Sequence, residues 1–221
     1  MKRAIICFTR VPKPGVTKTR LMPILSGDQC ARLHTAFLQD LASVYGKVEA
    51  DLFVAYTADP AWEMLKDIFP AACGFFPQVG KDLGEKMYHA IKQVLDLGYE
   101  RVILTGADLP LLTKTHLESG FAALEQADVT FGPTSDGGYY LVGMKQPHKA
   151  VFEKQNYGGS TVLENTLAVA HAAGVSVFLA QTCDDVDTPE DLQQLMDSLS
   201  PESATYLFLK QEVICFDRSI S

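Results

Sequence analysis

Short β-branched or aromatic runs alternate with stretches of helical periodicity along this chain, and that alternation constrains the fold more than any single residue does. Residues 4–8, 52–56, 102–104, 129–131, 140–142 and 175–179 read as strands, with a weaker one at 74–76. Residues 29–44, 61–69, 84–97, 115–126 and 161–173 read as helices. In the clearest helix Leu83, Met87, Ala90, Ile91, Val94 and Leu95 share one face, which predicts packing on a sheet. Thr115-x-x-Glu118 and Thr161-x-x-Glu164 match capping boxes, and Gly98 and Gly174 suit the left-handed residue after a helix. Thr188-Pro189-Glu190-Asp191 reads as a further helix start. Such an alternation specifies a mostly parallel α/β sheet covered on both faces, with ligands at the carboxyl ends of its strands.

With 221 residues and 47% hydrophobic content, the chain supports one domain around one sizeable core. A net charge of -8 opposes a polyanion, so nucleic acid is not an expected partner, although a local basic cluster can still hold a mononucleotide. Cys7, Cys30, Cys73, Cys183 and Cys215 are scattered and form no Cys-x-x-Cys pair, which predicts reduced thiols in a cytoplasmic protein. Met1-Lys2-Arg3 and the apolar run after it are too short for a signal peptide, and nothing reaches transmembrane length, so no membrane partner is expected. Residues 201–221 contain Tyr206-Leu207-Phe208-Leu209 and Val213-Ile214-Cys215-Phe216, too apolar for a solvated tail. That extension is expected to dock on the domain or on a second subunit, as in a homodimer.

Four motifs carry the chemistry. After the first strand, residues 9–21 gather Arg10, Lys13, Lys18 and Arg20 with two prolines and Gly15 in an otherwise acidic chain. Cations beside exposed backbone N–H groups are what a di- or triphosphate needs, and Arg10, Lys18 and Arg20 are the phosphate candidates. A solvated basic loop is the plain alternative. The loop is neither a Walker loop nor a Gly-x-Gly-x-x-Gly turn. Asp108, in Gly106-Ala107-Asp108-Leu109-Pro110, and Asp187, in Asp184-Asp185-Val186-Asp187, each follow an expected strand. Two carboxylates suffice for Mg²⁺, which completes its shell with water and phosphate oxygens, so Asp108 and Asp187 are the metal candidates. Asp184, Asp185 and Asp191 are better read as helix caps or solvated groups.

Asp136-Gly137-Gly138 precedes a buried strand. Gly137 and Gly138 permit close approach of backbone to a ligand, with Asp136 binding an acceptor or moving a proton, or the segment is a plain hairpin turn. Gly80 and Asp82, before the best helix, lie where they could line the same edge, with Asp82 read as a cap. The five histidines show no ligand spacing, and His34, His89, His116 and His171 fall within helices as surface or packing residues. The absence of a Gly-x-Ser-x-Gly elbow argues against a hydrolase triad.

Taken in order, Phe8-Thr9-Arg10, Gly15-x-x-Lys18-Thr19-Arg20-Leu21, Gly106-x-Asp108-x-Pro110, Asp136-Gly137-Gly138-Tyr139-Tyr140 and Asp185-Val186-Asp187-Thr188-Pro189-Glu190-Asp191-Leu192 resemble the nucleotide-diphospho-sugar transferase superfamily. The nearest resemblance is to a small bacterial glycosyltransferase-like branch related to arsenosugar biosynthesis proteins, over residues 3–198. It implies a single-domain GT-A (Rossmann-like) three-layer sandwich with a mostly parallel mixed sheet. It also implies a nucleotide over the carboxyl edge held by Arg10, Gly15, Lys18, Arg20, Gly80, Gly106, Gly137 and Gly138, with Mg²⁺ or Mn²⁺ near Asp108. The expected activity is transfer of a sugar from a nucleotide-diphospho-sugar to a small acceptor, with Lys18, Arg20 and Asp136 as the catalytic candidates. The Gly-x-x-Lys-Thr-Arg-Leu loop and the Asp-Val-Asp-Thr-Pro segment are also similar to small nucleotidylyltransferases, including the guanylyltransferase of the deazaflavin cofactor pathway. In that group the loop holds an NTP and pyrophosphate leaves. Gly138-Tyr139-Tyr140 stands where those enzymes tend to show Gly-Thr-Asn. Nucleotidylyl transfer is the alternative activity, and a non-catalytic nucleotide-sugar binding module the alternative of another class.

Overall fold

The computed structural model describes residues 2–153 and 155–217, with side chains described as far as residue 212. Val213-Ile214-Cys215-Phe216 therefore falls outside the described side chains. Seven strands, β1 (Arg3–Thr9), β2 (Asp51–Tyr56), β3 (Gly74–Pro77), β4 (Arg101–Thr105), β5 (Val129–Pro133), β6 (Tyr139–Met144) and β7 (Val177–Leu179), form one sheet in the order β3-β2-β1-β4-β6-β5-β7. Pairing is parallel throughout except for β6, which runs against both β4 and β5. The expected fold class is the observed one.

The alternating side chains of β1 explain the layers. Ile5 and Cys7 point to one face, where α1 (Gly27–Tyr45), α2 (Met64–Ile68) and α4 (Lys114–Gln126) pack through Leu38, Leu41, Leu65, Leu117 and Phe121. Ala4 and Ile6 point to the other, covered by α3 (Leu83–Asp96) and α5 (Val162–Ala172) through Met87, Ile91 and Ala170. Every one of these residues is nearly or wholly removed from water. A third cluster joins α1 to α6 (Pro189–Leu195) and α7 (Ala204–Asp217), through Leu33, Phe37, Leu192, Phe208 and Leu209. The described part of the apolar extension thus docks on the domain itself. Asp40 of α1 fixes it there by accepting the Ala204 and Thr205 backbone N–H groups at 2.7 and 2.9 Å.

Three boundary expectations change. The α4 cap is Thr113, closed by His116, while Glu118 instead pairs with Arg3 at 2.8 Å. Thr161 precedes α5 at φ -115°, ψ 12°, outside the extended backbone of a working cap, and makes no capping hydrogen bond. The 61–69 helix shrinks to α2, because Asp59 accepts the Ala61 N–H at 2.8 Å and opens a turn while Trp62 stacks on Tyr56. The expected helix starts at Asp82 and Thr188 are both observed as side-chain caps, and Gly98 and Gly174 take φ 90° and 68°.

Candidate active site

Strand order reverses between β1 and β4: β2 and β3 lie to one side of β1, and β4 with its neighbours to the other. Chain segments leaving the two carboxyl ends diverge there, opening the crevice in which doubly wound sheets bind ligands. The loop after β1 and Asp108 after β4 flank that crevice.

The loop is folded on itself before it reaches the site. The Lys13 carbonyl accepts the Val16 and Thr17 N–H groups and the Thr17 hydroxyl, so Thr17 is buried and the turn around Pro14 and Gly15 projects outward. Gly15 takes φ 70° at its tip with open space around it. Lys18 follows at φ 52°, the only described non-glycine residue with positive φ. That conformation turns its side chain inward, where only 3% of it meets solvent. Lys18 Nζ donates to Asp108 Oδ1 at 2.6 Å, Asp187 Oδ1 at 3.2 Å and the Val186 carbonyl at 2.5 Å, and lies 5.0 Å from the centre of the Phe37 ring.

The two aspartates meet because the chain before α6 runs back along the end of β4. Val186 N–H donates to the Asp108 carbonyl at 2.9 Å. Asp191, inside the α6 capping box, accepts the Asp187 and Thr188 N–H groups and so sets the position of Asp187. Arg20 Nη1 reaches Asp187 Oδ2 at 3.4 Å from a mostly exposed side chain. Arg10, Lys18, Arg20, His34, Asp108 and Asp187 together line a cavity of about 240 Å³. Arg10 is exposed there.

His34 belongs to this site and not to the surface or packing class expected for it. It sits on the buried stripe of α1, with Nε2–H donating to the Arg10 carbonyl at 3.3 Å. Its Nδ1 is buried without a hydrogen-bond partner, 3.7 Å from Asp108 Oδ1. A polar residue among Cys30, Leu33, Phe37 and Leu38 on the inward face was the available signal. Partial desolvation of Asp108 opposes its ionisation, but the Lys18 ammonium and His34 outweigh it and hold the carboxyl well below the usual carboxylate range. Asp185 moves the other way. Although the residue is exposed, partial desolvation at the site edge and the nearby Asp187, Asp136 and Asp108 raise its carboxyl to about 6.

The glycine candidates divide. Gly106 has no neighbour within 4 Å of an added Cβ and donates its N–H to the Tyr140 carbonyl. Gly80, at φ 148°, abuts the first turn of α3, where a Cβ would lie 2.7 Å from Lys86 N. Gly137, at φ 90°, abuts its own chain, where a Cβ would fall 1.8 Å from the Ser160 carbonyl oxygen. Asp136 Oδ1 accepts the Thr134 hydroxyl at 2.5 Å and the Gly138 N–H at 3.1 Å. The segment therefore has the self-bonded geometry of a tight turn before β6.

Among the described residues no group of three or more His, Cys, Asp or Glu side chains is arranged to hold a metal ion. The pair Asp108 and Asp187 nevertheless fits one. Their Oδ1 atoms already converge on a single cationic nitrogen, and two carboxylates plus phosphate and water oxygens are the usual Mg²⁺ shell. No helix of the described residues is long and apolar enough to cross a membrane.

A family model described as an uncharacterized protein conserved in bacteria (DUF2064) matches residues 40–159. The chain is 32% identical to a Desulfovibrio desulfuricans G20 protein provisionally described as a nucleotide-diphospho-sugar transferase. The crystal structure of that protein matches with a TM-score of 0.88, over 99% of this chain and 98% of that one. Identity to the 2-phospho-L-lactate guanylyltransferase of Methanothermobacter thermautotrophicus is 25%, covering 81% of this chain and 78% of that protein. A 4-diphosphocytidyl-2C-methyl-D-erythritol synthase shares the fold with a TM-score of 0.58 at 14% identity, over 90% of this chain and all of that one. The arsenosugar part of the resemblance gains no support from these proteins. The matched segment covers more than half of the chain, which belongs to the DUF2064 family of conserved bacterial proteins and has a nucleotide-diphospho-sugar transferase-like fold.

Proposed function

We propose that this transferase moves a nucleotidyl group from an NTP to an acceptor oxyanion, with Mg²⁺ or Mn²⁺ held by Asp108 and Asp187. The observation that carries the reading is the convergence of Lys18 Nζ on both carboxylates inside a cavity that also presents Arg10 and Arg20. Three cationic side chains at the carboxyl edge match a triphosphate, and two converging carboxylates match the cation that accompanies it. The guanylyltransferase relatives, 25% to 32% identical over 51% to 81% of the chain, favour nucleotidylyl over sugar transfer.

When bound, the divalent ion would supply Lewis-acid neutralisation of the phosphate oxygens. The chain's own residues do the remaining work. Arg10 and Arg20 would hold the outer phosphates, and Lys18 would keep Asp108 ionised. The acceptor oxyanion attacks the α-phosphorus in line; the bond from that phosphorus to the β-phosphate oxygen breaks, and its electron pair leaves on pyrophosphate. Lys18 and Arg20 would stabilise that developing charge. A second reading, sugar transfer from a nucleotide-diphospho-sugar, is favoured by the Desulfovibrio relative at 32% identity.

Phosphorus NMR with Mg²⁺, panels of NTPs and nucleotide sugars, and a bacterial metabolite extract separates the two. GTP is the first NTP to test, and the expected product is pyrophosphate. Asp108→Asn should lower its rate by about 10²–10³-fold, the loss typical of removing one group that stabilises transition-state charge. Nucleoside diphosphate released only from a nucleotide sugar would replace this reading with glycosyl transfer. Metal-dependent binding without turnover would point to a binding module.

A further inference from the structure

On the α3 face of the sheet lies a second cavity of about 160 Å³, which Asp108 also lines. Its walls are Phe8, Leu83, Met87, Leu104, Tyr139 and Val142. The acidic groups lining it are Asp108, shared with the phosphate cavity, and Asp185. No lysine, arginine or histidine is among the residues that line it. The other polar groups are largely engaged: Gly106 N–H donates to the Tyr140 carbonyl, and the Tyr140 hydroxyl donates to the Gln181 carbonyl at 3.0 Å. The Tyr139 hydroxyl is buried beside that of Tyr157.

Resting on the nucleotidylyl reading, we infer that this cavity takes the body of the acceptor, and that this body is an uncharged apolar group attached to the attacking oxyanion. The two cavities meet at Asp108, so an oxyanion aligned on the α-phosphorus there leaves the rest of its molecule on the Met87 side. An additional carboxylate on that molecule would enter a lining whose only charged side chains are Asp108 and Asp185, while Lys18 is already committed to the Asp108 and Asp187 oxygens in the neighbouring cavity, and desolvating an unpaired charge is strongly unfavourable. Apolar walls favour instead a ring or short alkyl chain, and cavities of roughly 150 Å³ lined by apolar side chains accept a benzene-sized group. The acceptor would therefore differ in class from a phosphorylated carboxylic acid such as 2-phospho-L-lactate.

Met87 places a methyl reporter in the wall. The intact protein, labelled at the methionine methyl groups, would be titrated with phenyl phosphate and with 2-phospho-L-lactate, each with and without Mg²⁺ and a non-hydrolysable GTP analogue. The expected result is a Met87 shift saturating at a Kd at least tenfold lower for phenyl phosphate. Leu83 is 43% exposed at the cavity rim, so Leu83→Arg should fold normally. That variant should narrow or invert the preference by supplying the missing cation. Equal or tighter binding of 2-phospho-L-lactate by the unaltered protein would overturn the inference. So would a Met87 signal unmoved by phenyl phosphate, or one already saturated by the GTP analogue alone, which would give the cavity to the nucleotide. Failure of the nucleotidylyl reading shows separately, as no pyrophosphate from any NTP whatever Met87 reports.

Discussion

Lys18 combines two unfavourable features that make sense only together. Its left-handed backbone costs roughly 1–2 kcal/mol relative to ordinary conformations. Its ammonium is almost fully withdrawn from water, yet it is matched by two carboxylates and a carbonyl. The nitrogen stands where the Asp108 and Asp187 oxygens converge, which is also where a divalent ion would be held. Lys18→Met should therefore act in opposite directions on two measurements. Without metal, the two partly exposed carboxylates lose their counter-charge, and urea denaturation should show a loss of about 1–3 kcal/mol, less than for a fully buried pair because solvent screens both partners. Mn²⁺ binding measured calorimetrically without nucleotide should tighten, since the competing cation is gone. Weaker Mn²⁺ binding by the variant would show that Lys18 supports the metal position and does not compete for it.

At the scale of elements, α1 joins the site to the rest of the fold. One stripe of it carries His34 against the β1 loop and Phe37 beneath Lys18, and Asp40, farther along, caps α7. Ser203 caps α7 locally only at the Tyr206 N–H, at 3.1 Å, so the Ala204 and Thr205 donors depend on one carboxylate from another helix. Asp40→Ala should cost about 1–2 kcal/mol in urea denaturation, the range for a lost helix cap, with Asp40→Asn losing less because it keeps one acceptor. Hydrogen exchange should accelerate first at the Ala204 and Thr205 amides. Unchanged exchange there would mean that Phe208 and Leu209, packed in the third cluster, hold the helix without the cap.

Across the whole molecule, alternating strand and helix patterns made the layers legible, because period 2 and period 3.6 are local properties of a sequence. Strand order is not local, and neither is the hydrogen bond from Val186 to Asp108 that brings Asp187 to its partner. Both aspartates could be named from their position after apolar strands, but their juxtaposition could not. The α4 cap is ambiguous in the sequence because Thr113 and Thr115 both precede a plausible closing residue, and the distant partner Arg3, which pairs with Glu118 in the fold, is not local information. His34 escaped because a single histidine has no spacing partner; its meaning comes from Asp108, far along the chain.

The same convergence that assembles the site leaves it with excess negative charge, and Asp185 reports it. Its carboxyl, at about 6, is raised from the ordinary 3.8 by partial desolvation of an otherwise exposed residue and by Asp187, Asp136 and Asp108. A group that binds its proton more tightly in the folded state contributes stability below pH 4, and that contribution is lost as pH rises through about 6. In EDTA, Asp185→Asn should therefore melt at a higher temperature than the unaltered protein above pH 6, with the two curves converging below pH 4. Mg²⁺ should narrow the gap at pH 7.5, because a divalent charge at Asp108 and Asp187 offsets the repulsion that Asp185 feels. Differential scanning calorimetry across that range reads both effects. A pH-independent gap would trace the stabilisation to the amide's own hydrogen bonds, while a gap indifferent to Mg²⁺ would separate Asp185 from the proposed metal position.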